Sequence, residues 1–312
     1  MRILILGAGA LGGYFGGRLH QAGLDPSFLV RPGRAASLAQ DGLRITSPLG
    51  DYQAKVTTIT REELKPGWDL LILTCKAYDL ADAMETIRPA VDARTAIIPV
   101  LNGISHVEAL QRAFGADRVL GGIAKIQASL APDGTIRHLN DWRWLTFGEV
   151  ADGMSARVEA IASAFSGAPG MVATAVPNIM AQMWEKLVHL GTSAICTVLM
   201  RANVGEIARA PGGIAFMHGV LEANAAIAAA EDFPVSGAFM QQYRGVFGDN
   251  ASAYTASMLR DLEAGGRIEA DHILGFLLAA AQRHGLPSSL HEAAFLHAKA
   301  FEQRRDAKRL PK

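Results

Sequence analysis

Glycines near the N terminus form the strongest chemical pattern in the chain. Three of them, at positions 7, 9 and 12, follow the apolar run 3–6 and open a helical pattern. In a strand–turn–helix unit, the first glycine permits a tight turn, the second lets a phosphate approach the backbone, and the third lets the helix pack on the strand. The N–H groups of the helix start then favour an anion. The residues predicted to bind the phosphates of a dinucleotide are Gly7, Ala8, Gly9, Ala10, Leu11 and Gly12.

A basic residue stands where the second strand of such a unit ends. NAD sites usually place a carboxylate there, which holds the ribose 2′-hydroxyl. This chain has Arg31 after the strand-like run 27–30, Arg34 just beyond it, and no carboxylate at the strand end. Because a guanidinium binds a 2′-phosphate through charge-assisted hydrogen bonds, Arg31 favours NADP(H) as the cofactor. The alternative is that Arg31 is a solvated loop charge.

The composition is that of a folded protein with room for two domains. The chain has 312 residues, of which half are hydrophobic and 19% are charged, so extensive disorder is not expected. Lys and Arg together number 30 and balance 30 Asp and Glu, which disfavours a nucleic-acid partner. The run 3–6 is too short for a signal peptide, and the uncharged stretch 187–200 is too short for a membrane span. We expect a soluble cytoplasmic protein with no membrane partner.

The first half alternates apolar runs with amphipathic segments, a pattern typical of a parallel sheet covered by helices on both faces. Strands are predicted at residues 2–6, 27–30, 70–75, 96–100 and 119–123. Helices are predicted between them, at residues 12–22, 34–40 and 78–91. The stretch 134–149 contains turn residues and two tryptophans and is interpreted as a hairpin. The fold class is therefore α/β, with an N-terminal Rossmann-type doubly wound sheet.

The second half is alanine-rich, and its apolar residues recur at helical spacing. A long helix is expected to start at Asn178, a plausible N-cap. Further helices are predicted at about residues 211–231, 237–243, 251–263, 269–283 and 289–304. We therefore divide the chain into a cofactor-binding domain, 1–172, and a helical substrate domain, 173–312. The alanine-rich helical faces are compatible with a homodimer.

Several motifs occur in the same order as in one enzyme family. They are the glycine motif, Thr74-Cys75-Lys76, Leu101-Asn102-Gly103, Trp184-Glu185-Lys186-Leu187, the segment Ser257–Asp261 and the segment Arg267–Asp271. From end to end the chain resembles the ketopantoate reductases, the 2-dehydropantoate 2-reductases of pantothenate biosynthesis. The resemblance implies an all-helical C-terminal domain similar to that of 6-phosphogluconate dehydrogenase.

The resemblance also implies an activity, the NADPH-dependent reduction of a 2-oxo acid such as ketopantoate. Lys186 matches the general acid of the family, and Glu269 matches the carboxylate that engages substrate and keeps the lysine charged. Asn102 matches the residue that positions substrate and nicotinamide. Ser257 matches a substrate-binding hydroxyl, and Lys76 matches a lysine near the nicotinamide end of the cofactor.

Each of these residues also has an ordinary structural interpretation. Lys186 lies within an apolar helical pattern, where a lysine often extends along the surface towards water. Glu269 is expected in the first turn of a helix, where a carboxylate complements the helix dipole. Ser257 suits a helix surface, Asn102 a turn, and Lys76 a charged strand end.

One strip of the chain departs from the family pattern. Ketopantoate reductases carry asparagines four and eight residues after the helix lysine, where this chain has Leu190 and Ala194. Both positions lie on the same side of the helix as Lys186. Ser193, seven residues after Lys186, lies at nearly the same angle around the helix axis as Lys186 and is predicted to supply a replacement hydroxyl to the substrate. His189 is interpreted as a surface or core histidine that could also reach the site. The hypothesis is a 2-oxo acid more apolar than ketopantoate.

Two other functions stay open on the sequence. A related enzyme, an opine or 3-hydroxy acid dehydrogenase, would share the architecture. A non-catalytic NADP(H)-binding redox sensor would keep the fold without the chemistry. No cluster of histidine, cysteine and carboxylate residues has the spacing of metal ligands, so no metal is expected.

Overall fold

Residues 1–310 are described by the structure, a computed structural model, and their contacts divide the chain into two units. The first unit comprises Met1–Leu101 and His106–Met180, and the second comprises Asn102–Ser105 and the chain from Ala181 onward. The first unit thus continues past residue 172, where the sequence placed the boundary. The reason is that strand Val172–Ala175 pairs in parallel with strand Ile136–Glu149 and belongs to the same sheet.

The first unit contains two sheets and the helices that cover them. Its strands are β1 (Ile3–Leu6), β2 (Ser27–Leu29), β3 (Leu43–Thr46), β4 (Tyr52–Ala54), β5 (Thr58–Ile59), β6 (Leu70–Leu73), β7 (Ala96–Pro99), β8 (Leu120–Leu130), β9 (Ile136–Glu149) and β10 (Val172–Ala175). Its helices are α1 (Ala10–Gln21), α2 (Pro32–Asp41), α3 (Leu80–Ile87), α4 (Ser105–Phe114) and α5 (Ala156–Phe165).

One sheet is parallel throughout, with the strand order β5-β2-β1-β6-β7. Its central strands are fully covered, and all four residues of Leu70–Leu73 have no exposed surface. Burial on both faces explains why these strands are apolar at consecutive positions rather than at alternate ones. The predicted doubly wound α/β fold is confirmed. Its strand order also brings the ends of β1, β2 and β6 to one edge of the sheet.

The second sheet contains the parts of the unit that the sequence pattern misassigned. The run 119–123 was expected as another parallel strand, but only Val119 bridges to Ile97, and β8 pairs antiparallel with β9. Residues 134–149 were expected as a complete hairpin but form mainly one strand of it. The turn lies at 131–135, where the Ala131 N–H donates to the Thr135 carbonyl at 2.9 Å. An apolar run indicates a strand but does not select its partner, and this is why the pairing was wrong.

The second unit is helical, as predicted. Its helices are α6 (Ile179–Met200), α7 (Val204–Arg209), α8 (Gly213–Ala230), α9 (Gly237–Gly248), α10 (Ser257–Glu263), α11 (Phe276–Arg283) and α12 (Ser289–Asp306). The helix expected over 251–263 is shorter, and the one expected over 269–283 begins with a π turn, Asp271–Gly275.

Within residues 1–310, helix α8 alone is long and apolar enough to cross a membrane by length and composition. Core helices of globular proteins meet the same criteria. In this unit α8 packs against α7, α9 and α11, and its side chains at Met217, Val220 and Leu221 have no exposed surface. The helix is buried along one face, and 39% of its residues are buried in this unit.

Helix α1 approaches its neighbours at van der Waals distance along a glycine-rich face. A Cβ atom on Gly12 would lie 2.2 Å from the carbonyl oxygen of Gly7 and 2.5 Å from Oγ1 of Thr74. A Cβ on Gly13 would lie 2.3 Å from Cδ1 of Ile136. Because one of these obstacles is backbone, a side chain at position 12 cannot be accommodated by a rotamer change.

We expect Gly12→Ala to lower the free energy of unfolding by about 1–3 kcal/mol, since the added methyl group forces α1 away from β1. Urea denaturation of the purified chain measures the change. The matched control is Gly33→Ala, whose Cβ would meet no atom within 4 Å. Equal denaturation midpoints for the Gly12 variant and the unaltered chain would contradict the close approach.

Candidate active site

The glycine motif forms the turn from β1 into α1. Gly7 has a φ of +93°, which a residue with a Cβ adopts at a cost, and its N–H donates to the Leu29 carbonyl at 2.9 Å. No side chain caps the start of α1, and its first turn carries no acidic residue. A Cβ on Gly9 would meet nothing within 4 Å. Open space beside uncapped N–H groups fits the pyrophosphate of a dinucleotide.

The end of β6 lies at the same edge of the sheet as this loop. The Thr74 hydroxyl donates to the Leu6 carbonyl at 2.6 Å and ties the ends of β1 and β6 together. Lys76, two residues after Thr74, is exposed, and its carbonyl accepts from the Asp79 N–H at 2.9 Å. Lys76 therefore starts a short 3₁₀ turn on the side of the sheet where the glycine loop lies.

Two arginines follow β2 and differ in their surroundings. Arg31 is the exposed N-cap residue of α2. Arg34 is half-buried, and its guanidinium donates to the Ala8 carbonyl from Nε at 3.2 Å and from Nη2 at 3.0 Å. Nη2 also donates to the Gly134 carbonyl at 3.2 Å. Arg34 thus joins the glycine loop to the turn of the β8–β9 hairpin.

Burial lowers the pKa of Arg34, and the neighbouring Arg44 guanidinium lowers it further. The arginine stays charged, so it places a positive charge against the loop predicted to hold phosphates. Sequence reasoning registered Arg34 only as a charge beyond Arg31. Its place at the start of the predicted helix 34–40, just beyond Arg31, was the one available signal.

The second unit brings together three of the predicted site residues. Lys186 lies on α6 and is half-buried, and Glu269 is only 5% exposed. The Asn102 amide donates from Nδ2 to Oε2 of Glu269 at 3.5 Å. Segment Asn102–Ser105 therefore contributes to the surroundings of Glu269, although 167 residues separate Asn102 from Glu269 in the chain.

A second hydrogen bond holds the same segment. The Ser105 hydroxyl lies 3.1 Å from Nδ1 of His272. His272 belongs to the π turn Asp271–Gly275, which follows Glu269. Single π turns inside helices occur often at functional sites, because they reorient the side chains on either side. Sequence reasoning missed His272, since helical periodicity does not reveal a π turn.

The electrostatics of Lys186 combine two opposing effects. Burial lowers the pKa of the Lys186 ammonium to about 8, and the Glu269 carboxylate opposes this by stabilising the charged form. A lysine whose pKa lies near neutrality can donate a proton and be reprotonated by the surrounding water. The arrangement therefore suits a general acid.

The two predicted serines differ in exposure. Ser257 is the first residue of α10 and is half-buried. Ser193, which was expected to offer a hydroxyl to the substrate, has no exposed surface, and this hydroxyl donates to the Leu190 carbonyl at 3.0 Å. This geometry argues against direct contact between Ser193 and a substrate. Helix azimuth alone could not show that another segment covers the position.

That covering segment includes Tyr254, which sequence reasoning missed. The Tyr254 hydroxyl and Nε2 of His189 are 3.0 Å apart and hydrogen-bonded. The side chain of Ser193 lies near the same phenol and opposes the rise that burial causes in the pKa of Tyr254. Leu190 is half-buried on the same strip of α6, whereas Ala194 is only 2% exposed. His189 is therefore a half-buried residue that is hydrogen-bonded to a tyrosine. It is neither the exposed surface histidine nor the buried core histidine that the sequence suggested.

Residues 1–310 contain no group of three or more histidine, cysteine and carboxylate side chains that could hold a metal ion. The chemistry available at these residues is that of a lysine ammonium, a carboxylate, an amide and backbone N–H groups.

Comparison with known proteins connects the chain to a family. Residues 3–152 match the family model described as ketopantoate reductase PanE/ApbA, and residues 178–302 match the model of its C-terminal domain. An uncharacterised oxidoreductase of Bacillus subtilis (strain 168), YkpB, is 32% identical over 302 residues, which are 97% of this chain and 99% of that protein.

Solved structures agree with the sequence comparison. The 2-dehydropantoate 2-reductase from Methylococcus capsulatus has a TM-score of 0.87 and 28% identity, with 98% of each chain covered. A D-mandelate dehydrogenase solved with NADH and anilino(oxo)acetate has a TM-score of 0.86, with 98% of this chain and 99% of that chain covered. At 21% identity the latter shows likeness of fold alone. The two family models together span most of the chain, which belongs to the ketopantoate reductase family of oxidoreductases.

Proposed function

We propose that the chain reduces a 2-oxo acid with NADPH and that Lys186 is the general acid. The observation that supports this most is the half-buried Lys186 beside the buried carboxylate of Glu269, with the Asn102 amide bonded to that carboxylate. Reduction of a ketone to an alcohol needs one hydride and one proton. The dinucleotide supplies the hydride when bound, and this chain must supply the proton to the ketone oxygen.

Each residue of this group has a definite task in the proposal. The Lys186 ammonium donates a hydrogen bond to the ketone oxygen, stabilises the charge that develops there, and transfers the proton. Glu269 keeps the ammonium protonated and holds Asn102, whose amide can both donate and accept when it orients the substrate. Ser257 is proposed as a further substrate-binding hydroxyl, and Lys76 as a contact near the nicotinamide end of the cofactor.

NADP(H) is proposed as the cofactor because positive charge follows β2. Arg31 is the exposed N-cap of α2, and Arg34 binds the glycine loop through the Ala8 carbonyl. The segment 27–40 contains no carboxylate to hold a ribose 2′-hydroxyl. The D-mandelate dehydrogenase with a similar fold was solved with NADH, so the choice between the two cofactors needs a direct test.

The acid itself is proposed to be ketopantoate or another 2-oxo acid, turned over by a soluble cytoplasmic enzyme. A related opine or 3-hydroxy acid dehydrogenase activity would appear in a substrate panel. A non-catalytic redox sensor would bind cofactor and oxidise none of it with any acid. The homodimer expected from the alanine-rich faces stays a prediction.

We expect Lys186→Ala to lower kcat/KM for 2-oxo acid reduction by about 10²–10⁴, the usual contribution of a positioned general acid. The decrease in absorbance at 340 nm during NADPH oxidation measures it. Lys65→Ala, which removes an exposed lysine, is the matched control and should retain full activity. An active Lys186→Ala variant would remove the lysine from the mechanism.

The pH profile tests the same residue without changing it. Ketone reduction needs protonated Lys186, so kcat/KM should be level below about pH 7 and fall tenfold per unit above about pH 8. Oxidation of the 2-hydroxy acid needs the neutral amine and should rise through the same pH range. A flat profile in both directions between pH 6 and about pH 10 would speak against Lys186 as the titrating group.

Cofactor choice is tested by Arg31→Ala. Loss of a hydrogen bond to a charged group should weaken NADPH binding by about 10–100-fold and leave NADH binding nearly unchanged, because only NADPH carries the 2′-phosphate. Fluorescence titration of the reduced cofactors gives both dissociation constants. Arg112→Ala, on the exposed face of α4, is the control. Equal losses for the two cofactors would place Arg31 elsewhere than at the 2′-phosphate.

A further inference from the structure

An aromatic cluster packs against α6 one turn beyond Lys186. The ring of His189 stacks on the rings of Tyr243 and Tyr254, with centroid separations of 4.6 Å and 5.6 Å and interplanar angles of 26° and 25°. Phe247 extends the cluster, with its ring centroid 6.1 Å from that of His189. These rings belong to α9 and to the segment before α10, so three separate parts of the second unit meet at this point.

The hydroxyl of Tyr254 is fixed by His189. It lies 3.0 Å from Nε2 of His189, and the rings of the two residues are stacked. Ser193, a near neighbour of the phenol, donates its own proton to the Leu190 carbonyl. Burial also raises the pKa of Tyr254, so the ring stays neutral at ordinary pH. Tyr254 is therefore held in one orientation over α6.

The position of Tyr254 decides what a substrate can meet on the strip that starts at Lys186. Ser193 lies seven residues, about 10 Å, beyond Lys186 along the helix and is fully covered. Leu190 lies between them and remains half-buried, as does Tyr254. Beyond the catalytic lysine, the half-buried part of this strip thus consists of the aliphatic side chain of Leu190, the imidazole of His189 and the phenol of Tyr254, and the last two are hydrogen-bonded to each other.

We propose that Tyr254 and Leu190 form the wall that receives the side chain of the 2-oxo acid, and that this wall selects a flat apolar side chain, such as an aromatic ring. The proposal rests on the proposed reduction of a 2-oxo acid at Lys186. An aromatic side chain packs against Leu190, and its ring contacts the ring of Tyr254 in a stacked or an edge-to-face arrangement. A hydroxylated side chain such as that of ketopantoate would lose its water there and gain no equivalent partner.

Tyr254 is a specificity-determining residue in this proposal, and His189 positions it. Pocket contacts of this kind discriminate by about 10–200-fold between substrates that differ in an apolar group. We therefore expect kcat/KM for phenylglyoxylate or phenylpyruvate to exceed that for ketopantoate and for pyruvate by about 100-fold.

The experiment measures NADPH oxidation with these four acids for the unaltered enzyme, Tyr254→Phe and Tyr254→Asn. Tyr254→Phe keeps the ring and removes the bond to His189, so the aromatic preference should persist. Tyr254→Asn removes the ring and offers an amide, so the ratio of aromatic acid to ketopantoate should fall at least tenfold. Tyr52→Phe, which changes a phenol bonded to His20 in the first unit, is the matched control and should keep the ratio. Circular dichroism confirms that each variant is folded.

Calorimetric binding of the same acids to the enzyme with NADP⁺ separates this proposal from the one on which it depends. Aromatic acids that bind at least ten times more tightly than ketopantoate, with the difference lost in Tyr254→Asn, support the wall even if no acid is reduced. Absence of reduction with every acid would overturn the proposed function alone. Ketopantoate bound or reduced as well as the aromatic acids, or no binding of any acid, would overturn the wall.

Discussion

The ammonium of Lys186 and the carboxylate of Glu269 are each costly to remove from water, and the second unit places them where each offsets the cost of the other. Burial alone would shift the lysine towards its neutral form, and the carboxylate limits that shift, which leaves the pKa at about 8. Glu269, only 5% exposed, also receives the amide of Asn102. A charged pair with few water contacts must be held by its surroundings. The segment 102–105, fixed again through Ser105 and His272, provides part of that support.

The helix that carries Lys186 also holds a residue from a distant part of the chain. Tyr254, in the segment before α10, packs on α6 and is bonded through its hydroxyl to His189. Ser193 is buried near this phenol and donates its proton to the Leu190 carbonyl of its own helix. In this way the surroundings of Lys186 include a residue more than fifty positions away in the chain.

In the first unit, the short distance between α1 and β1 constrains the glycine loop. The helix start can present its N–H groups at the sheet edge only because position 12 has no Cβ, which would lie 2.2 Å from the Gly7 carbonyl oxygen. Thr74 closes the same corner through its bond to the Leu6 carbonyl, and Arg34 fixes the Ala8 carbonyl on the other side. The loop is therefore held by side chains from β6 and α2 as well as by its own glycines. These contacts fix the conformation of its backbone before any ligand binds.

The sequence by itself determined the doubly wound sheet, the helical second half and the glycine loop. Each of these depends on local spacing, on burial of consecutive apolar residues or on the absence of a Cβ, all of which the order of residues records. The ordered motifs likewise indicated Lys186, Glu269 and Asn102 together. Tertiary structure alone decided the pairing of β8 with β9, because an apolar strand can satisfy its hydrogen bonds with more than one partner. It also decided that Ser193 is buried under Tyr254, that Arg34 binds the glycine loop and that His272 bonds Ser105. Those contacts join residues far apart in the chain, and nothing in local periodicity encodes which distant side chain will fill a given space.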